Sequence, residues 1–282
     1  MKLTLLFFAA AILFIASACD VIDNPVQSID VPIDTTKKVQ QNVLLEDYTG
    51  HTCGNCPEAA ELAHQIQTTY GKSRVIVVAV HAGPFAKVSL PDYPMDFNTA
   101  AGTDLDNTFR VGRAGNPNGF INRVAKNGKI ILGKDQWAEV SAELLTATPK
   151  LGLSETHTWD STTKTLSVSV DIDYLTDGTA DYHLVGLLTE SHIISDQTDY
   201  RKNPSHIKAY EFDHVMRASM LNGTWGEQIS TTAVTAGTKK QKTFTYTFPA
   251  GSTWVPGNCE IIIYVHQHET TKEVVQVISS QL

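Results

Sequence analysis

The sequence predicts an α/β segment followed by an all-β segment, and three observations lead there. An apolar run, Val43-Leu44-Leu45-Glu46-Asp47-Tyr48, precedes a Cys53-Gly54-Asn55-Cys56 dithiol, a stretch of helical spacing and a second apolar run from Arg74 to His81. That is the order strand, helix, strand. From residue 150 onward the period changes: Thr165 to Tyr174 and Thr243 to Phe248 alternate polar and apolar residues, as half-buried strands do. Ahead of both lies a segment of another kind, with one charge at Lys2, an apolar run from Leu3 to Ile15, and Ala16-Ser17-Ala18 before Cys19.

That first segment is a secretory signal over residues 1–18. Its apolar run is too short to cross a ~30 Å hydrocarbon core, and no later run reaches the ~18 residues a spanning helix needs. Ala16-Ser17-Ala18 satisfies the small-x-small cleavage rule, and Ala-Ser-Ala-Cys also resembles a bacterial lipobox. The position of the cysteine favours the lipobox, which makes Cys19 the mature N-terminus and the lipidation site. Each buried CH2 of an acyl chain contributes ~0.8 kcal/mol, so several chains together hold a protein on a bilayer. Residues 19–38 are polar, contain two prolines and read as a lipidated tether.

Loss of the signal removes one lysine and leaves 21 basic against 30 acidic residues, a formal charge of −9. An acidic chain without a Lys/Arg block excludes nucleic acid as a partner. No cofactor is expected. Export puts Cys53, Cys56 and Cys259 in an oxidising compartment.

Within residues 39–147, Pro57 suits the first turn of a helix, where its missing N–H has no partner to lose, and Glu58 and Glu61 complement the dipole. Ala59, Leu62, Ala63 and Ile66 give that helix an apolar face. The β-branched run Val75 to Val80 fits a central strand covered on both sides, and the short crossover implies parallel pairing. After an irregular stretch from His81 to Thr103 come a short helix at Asp104 to Val111 and a hairpin, Gly119 to Val124 and Lys129 to Leu132, around Asn127-Gly128. A helix from Asp135 to Thr146 closes the segment.

This order, with CxxC opening the first helix, resembles a thioredoxin fold across residues 39–147. The resemblance implies two more site residues. Pro117, just before the first hairpin strand, stands where such proteins carry a cis-proline facing the dithiol. Asp47, six residues before Cys53, stands where they carry a buried acid. Thr52 departs from the pattern, since tryptophan is usual there.

A thiolate is the attacking species in disulfide exchange, and a helix N-terminus lowers a thiol's pKa. Cys53 is therefore the expected nucleophile and Cys56 the resolving thiol, with Asp47 placed to accept its proton. His51 is either a cationic aid to the Cys53 thiolate or a solvated loop residue. Zinc lacks ligands, as there is no second CxxC. A structural disulfide over so short a loop adds little stability. A non-catalytic thioredoxin scaffold is the remaining alternative, and the motif leaves the direction of electron flow open.

Residues 150–282 read as an antiparallel β-sandwich domain, with strands at Thr165 to Tyr174, Asp181 to Glu190, Thr243 to Phe248, Cys259 to Gln267 and Glu273 to Ile278. Its middle is less regular: Tyr200-Arg201-Lys202-Asn203-Pro204, Tyr210 to Arg217, and Leu221 to Gly226. Together with Glu46-Asp47-Tyr48-Thr49-Gly50 and Cys53 to Pro57, these words resemble the outer-membrane protein 28-related lipoprotein family. That resemblance implies an outer-membrane address and a thioredoxin-like domain joined to a C-terminal β-domain.

His206, His214, His266 and His268 invite a metal reading, but without a carboxylate at ligand spacing they are expected in surface or packing roles. Cys259 is expected to be a buried core residue, Trp225 a lid over the core, and Asp199 to Gly226 a partner surface. The resulting expectation is a membrane-anchored thiol-disulfide oxidoreductase acting on exported protein clients or a redox partner. The alternative is a surface lipoprotein that binds a protein or glycan through its β-domain.

Overall fold

β1 (Val43–Thr49) is buried along its whole length, which requires cover on both faces. In a computed structural model describing residues 38–282, that cover comes from opposite ends of the sequence. The expected signal, Cys19 and nearly all of the tether lie outside the described residues.

α1 (Cys56–Tyr70) connects β1 to the parallel β2 (Val75–His81), in a register that pairs Asp47 with Ala79 and Thr49 with His81. α2 (Ala100–Phe109) is capped by the Thr99 hydroxyl, which accepts from Gly102 N at 2.9 Å. It leads through α3 (Val111–Ala114) to β3 (Asn118–Ile121), antiparallel to β1. β3 is shorter than the expected strand. Asn122 and Arg123 both take left-handed backbone conformations, and the Asn122 side chain accepts from Leu44 N at 2.7 Å, so the chain turns away after Ile121. The Asn127-Gly128 turn forms, but the second arm contributes only isolated bridges. α4 (Trp137–Leu145) then packs with α1. Ala59, Ala63, Ile66, Trp137 and Val140 bury one face of β1 and β2 through Val43, Leu45, Val75 and Val77.

The remainder is strands: β4 (Leu151–Asp160), β5 (Thr165–Tyr174), β6 (Tyr182–Glu190), β7 (Ile193–Thr198), β8 (His206–Phe212), β9 (Val215–Ser219), β10 (Glu227–Gln228), β11 (Lys239–Thr247), β12 (Cys259–Gln267) and β13 (Val274–Gln281). β11-β5-β4 form one sheet, whose inner residues Leu166, Val168, Val170 and Ile172 pack against β6 and β12. β7 and β8 form a separate hairpin.

The largest sheet crosses the expected domain boundary. One sheet runs β13-β12-β6-β9-β2-β1-β3 with strands from both sides of residue 150, while β11-β5-β4 and β7-β8 lie wholly within residues 150–282, and residues Val39–Leu282 form one unit. The join is narrow: β9 meets β2 only at the Ala79–Val215 pair, with Ala79 N donating to His214 O at 2.8 Å. Without β9, β2 would be an apolar edge strand with unpaired backbone groups. The second face of β1 and β2, with Leu44, Tyr48, Ile76, Val78 and Val80, shares a core with Val185, Leu187, Ile262, Tyr264 and Val277. At its centre Arg123 makes a bidentate pair with Glu46, both contacts 2.7 Å, and donates to the Tyr264 hydroxyl at 3.1 Å.

Candidate functional site

The end of β1 delivers the dithiol to the start of α1. Cys53 and Cys56 are joined as a disulfide, with Cα atoms 5.4 Å apart, and Cys56 N donates to Cys53 O at 3.2 Å. Asn55 gives the helix no side-chain cap, so its first-turn N–H groups are left to what lies in front of them, and Glu58 is acidic there. Both cysteines are buried, at 3% and 2% exposure.

The cover is the end of β7 and the loop beyond it. Thr198 N donates to His51 O and Tyr200 N to Gly54 O, both at 2.9 Å, while the buried Gln197 side chain donates to Cys53 O at 3.0 Å. The Tyr200 ring lies against Gly54 so closely that a Cβ there would overlap it. Arg201 grips both carboxylate oxygens of Glu61 on α1 at 2.8 Å and is itself held by Asp199. This strap adds main-chain hydrogen bonds to the dithiol loop as an extended peptide would.

Behind the disulfide, Asp47 and Cys56 line the same small cavity, together with His81, Gln197 and Tyr210. Asp47 is buried, its Oδ1 has no hydrogen-bond partner, and burial pushes its carboxyl up to about 7. His81 is neutral, because burial pushes it down to about 3. Its ring packs 4.7 Å from Phe97 and 5.6 Å from Phe212. An adjoining cleft of about 480 Å³ also reaches Asp47, past Glu61, His64, Tyr210 and His214.

His51 fits neither of its expected roles. It is buried, stacks 5.4 Å from Tyr93 and contacts Lys87 O through Nε2 at 2.8 Å, and burial lowers its pKa, so it is no cation beside Cys53. The Asn116–Pro117 peptide bond is cis. Pairing of Tyr48 with Asn118 sets Pro117 opposite the end of β1, at the same sheet edge as the dithiol.

Among the other singled-out residues, Cys259 is wholly buried in the core, and burial pushes its thiol up to about 12. Trp225 packs on the core shared by β1, β2, β6 and β12. His206 pairs with Asp196 at 2.7 Å, and His214 lines the cleft. The stretch Asp199 to Gly226 is not one surface: its start straps the dithiol, β8 and β9 build sheet, and Trp225 joins a histidine cluster. Gln197 and the strap contacts escape sequence reading, because they depend on a hairpin more than a hundred residues from the cysteines, whereas His81 is placed by the parallel register that pairs it with Thr49. An Arg-Lys-Asn-Pro turn with aromatics on both sides is the one local signal of such a loop.

A model described as outer membrane protein Omp28 matches residues 104–282. The chain belongs to the outer membrane protein Omp28 family. Its address is therefore the outer membrane, and among the described residues no helix is long and apolar enough to cross a membrane. The dithiol lies before the matched stretch, which begins within α2. Among solved structures, the chain is similar to HBP35 of Porphyromonas gingivalis, with a TM-score of 0.62 at 13% identity over 86% of this chain and 76% of that one. This likeness concerns the fold, an α/β part joined to a β-rich part. A domain of the outer membrane lipoprotein Omp28 from the same organism matches at 19% identity over 48% of this chain and 90% of that one, with a TM-score of 0.30. A search of curated proteins finds no match.

Proposed function

We propose that this Omp28-family chain, lipid-anchored through Cys19, is a thiol-disulfide oxidoreductase with a thioredoxin-like core, acting on exported proteins. The observation that carries this reading is the buried Asp47 in the cavity that Cys56 lines, with a carboxyl raised to about 7. An acid titrating near neutrality is suited to exchange protons with a thiol in the same dry space. In the oxidised state a client thiolate attacks Cys53 Sγ. The Cys53–Cys56 bond breaks, and Cys56 leaves with a proton from Asp47. A second client thiolate then attacks the client sulfur of the mixed disulfide, releasing Cys53 and leaving the client oxidised by two electrons. The reverse sequence reduces a client disulfide, with Asp47 accepting the Cys56 proton. Pro117 shapes the groove beside the dithiol, and the 197–201 strap occupies the place of a client backbone until displaced.

The burial of both sulfurs favours a second reading, in which the dithiol is inert and the β-rich part binds a protein or glycan. Trapping separates the two. A Cys56→Ser variant cannot resolve an adduct at Cys53, so oxidoreductase action leaves it disulfide-linked to exported proteins, released by reductant. If no such adducts accumulate and the reduced wild-type dithiol also resists alkylation, the binding scaffold is the better account.

A further inference from the structure

The tertiary structure assembles three histidines that the sequence disperses. β6 and β12 pair so that His183 faces His266 directly, and His268 follows on the far side of Gln267. His183 and His268 stack with ring centroids 4.1 Å apart, and His266 stands 6.0 and 5.5 Å from them. One ring nitrogen from each lies within 4.8 Å of the other two. The Nδ1 atoms of all three are shielded from solvent and have no hydrogen-bond partner. Three shielded, unpartnered imidazole nitrogens in one place leave several polar groups unsatisfied unless something occupies the space between them.

His266 is the fixed member. It is fully buried, and its Nε2 contacts Trp225 O at 3.1 Å. A ring whose Nε2–H donates to a carbonyl presents a lone pair at Nδ1, the arrangement in which a backbone carbonyl orients a metal-bound histidine. His183 and His268 are partly exposed, and His268 Nε2 lies 3.3 Å from Glu269 Oε1. The Trp225 ring stands 5.9 Å from both His266 and His268 and shields the group on one side. Arg123 also approaches this tryptophan, but its charge is matched by Glu46.

We infer that His183, His266 and His268 form a binding site for a divalent transition metal of the zinc class, on a face of the fold built without the cysteines. Three imidazoles and one open position match the ligand set such ions accept. Tetrahedral bonds of ~2.0–2.1 Å put ligand atoms ~3.3 Å apart, so binding draws the nitrogens inward and breaks the His183–His268 stack. Water or a small anion fills the fourth position.

The test is titration of the intact exported chain with Co²⁺ and with Zn²⁺, its dithiol kept oxidised so that Cys53 and Cys56 cannot bind metal. The expected result is one ion per chain, tetrahedral Co²⁺ absorption in the visible, and a rise in melting temperature with Zn²⁺. His183→Ala and His268→Ala each weaken binding by at least ~10-fold, while His206→Ala leaves it unchanged. X-ray absorption on the Zn²⁺-loaded wild type requires no variant to fold and is expected to show three nitrogen ligands. A coordination shell of oxygen alone, binding unaffected by either substitution, or no binding at all overturns the assignment.

Discussion

Gln197→Ala tests whether the strap governs access to the dithiol. Three hydrogen bonds tie residues 197–200 to residues 51–54. At ~0.5–1.5 kcal/mol net for each, they hold the strap closed by ~1.5–4.5 kcal/mol. One factor of ten per ~1.4 kcal/mol then leaves the dithiol uncovered in roughly one molecule in ten to one in a thousand. Arg201 adds little, because its pair with Glu61 is solvent-exposed. The reduced wild-type protein is therefore expected to react with iodoacetamide at Cys53 roughly 10- to 1,000-fold more slowly than the urea-unfolded chain. Gln197→Ala removes one of the three hydrogen bonds to the dithiol loop and leaves Cys53 O with the one from Cys56 N alone, so the native rate should rise roughly 2- to 10-fold. Peptide mapping by mass spectrometry reads Cys53 separately from Cys259, and Gln241→Ala, on the exposed face of β11, serves as the control. A wild-type rate equal to that of the unfolded chain refutes the reasoning. So does an unchanged rate in a stably folded Gln197→Ala protein.

Gly54→Ala perturbs the same contact from below: the added Cβ displaces the Tyr200 ring, and faster alkylation at Cys53 is expected. Asp47 sets a pH dependence of stability. Its folded pKa of about 7 lies above the ordinary 3.8, so between those values the folded chain keeps a proton that the unfolded chain has released. Stability therefore falls as pH rises through that window, by up to ~4 kcal/mol above pH 7. Asp47→Asn should flatten the slope in urea unfolding at pH 5 and pH 8; equal slopes in the two proteins would count against the buried carboxyl. Glu46→Gln strands the Arg123 charge in the core and should destabilise the fold by ~3–5 kcal/mol in denaturant titration. A loss below ~1 kcal/mol would show that water reaches the pair.

Elements whose signal is local are legible in the chain. The β1, β2 and β12 apolar runs, the helix opening at Cys56 with Pro57 in its first turn, and the alternation of β5 and β11 follow from local period and composition, and the dithiol needs only four consecutive residues. Asp47 and Pro117 are singled out only through the resemblance to a thioredoxin fold; in the structure Asp47 lines a cavity with Cys56, and the Asn116–Pro117 bond is cis. Four features were not readable. Residues 150–282 look like a separate β-domain because two runs alternate and turn signals separate the strands, yet one backbone pair, Ala79 with Val215, makes β9 the next strand beside β2. Glu46 on a strand that reads as buried looks anomalous until Arg123, turned inward by two left-handed residues, meets it. His183 has no partner in sequence, because cross-strand register alone sets it opposite His266. The cysteines read as a helix-terminal site with no covering segment nearby in the chain, while a hairpin more than a hundred residues away lies over them. Local period and motif specify which strands and which dithiol this chain contains. Long-range pairing, which carries no periodic signature, decided what touches them: the arginine on Glu46, the strap and the third histidine.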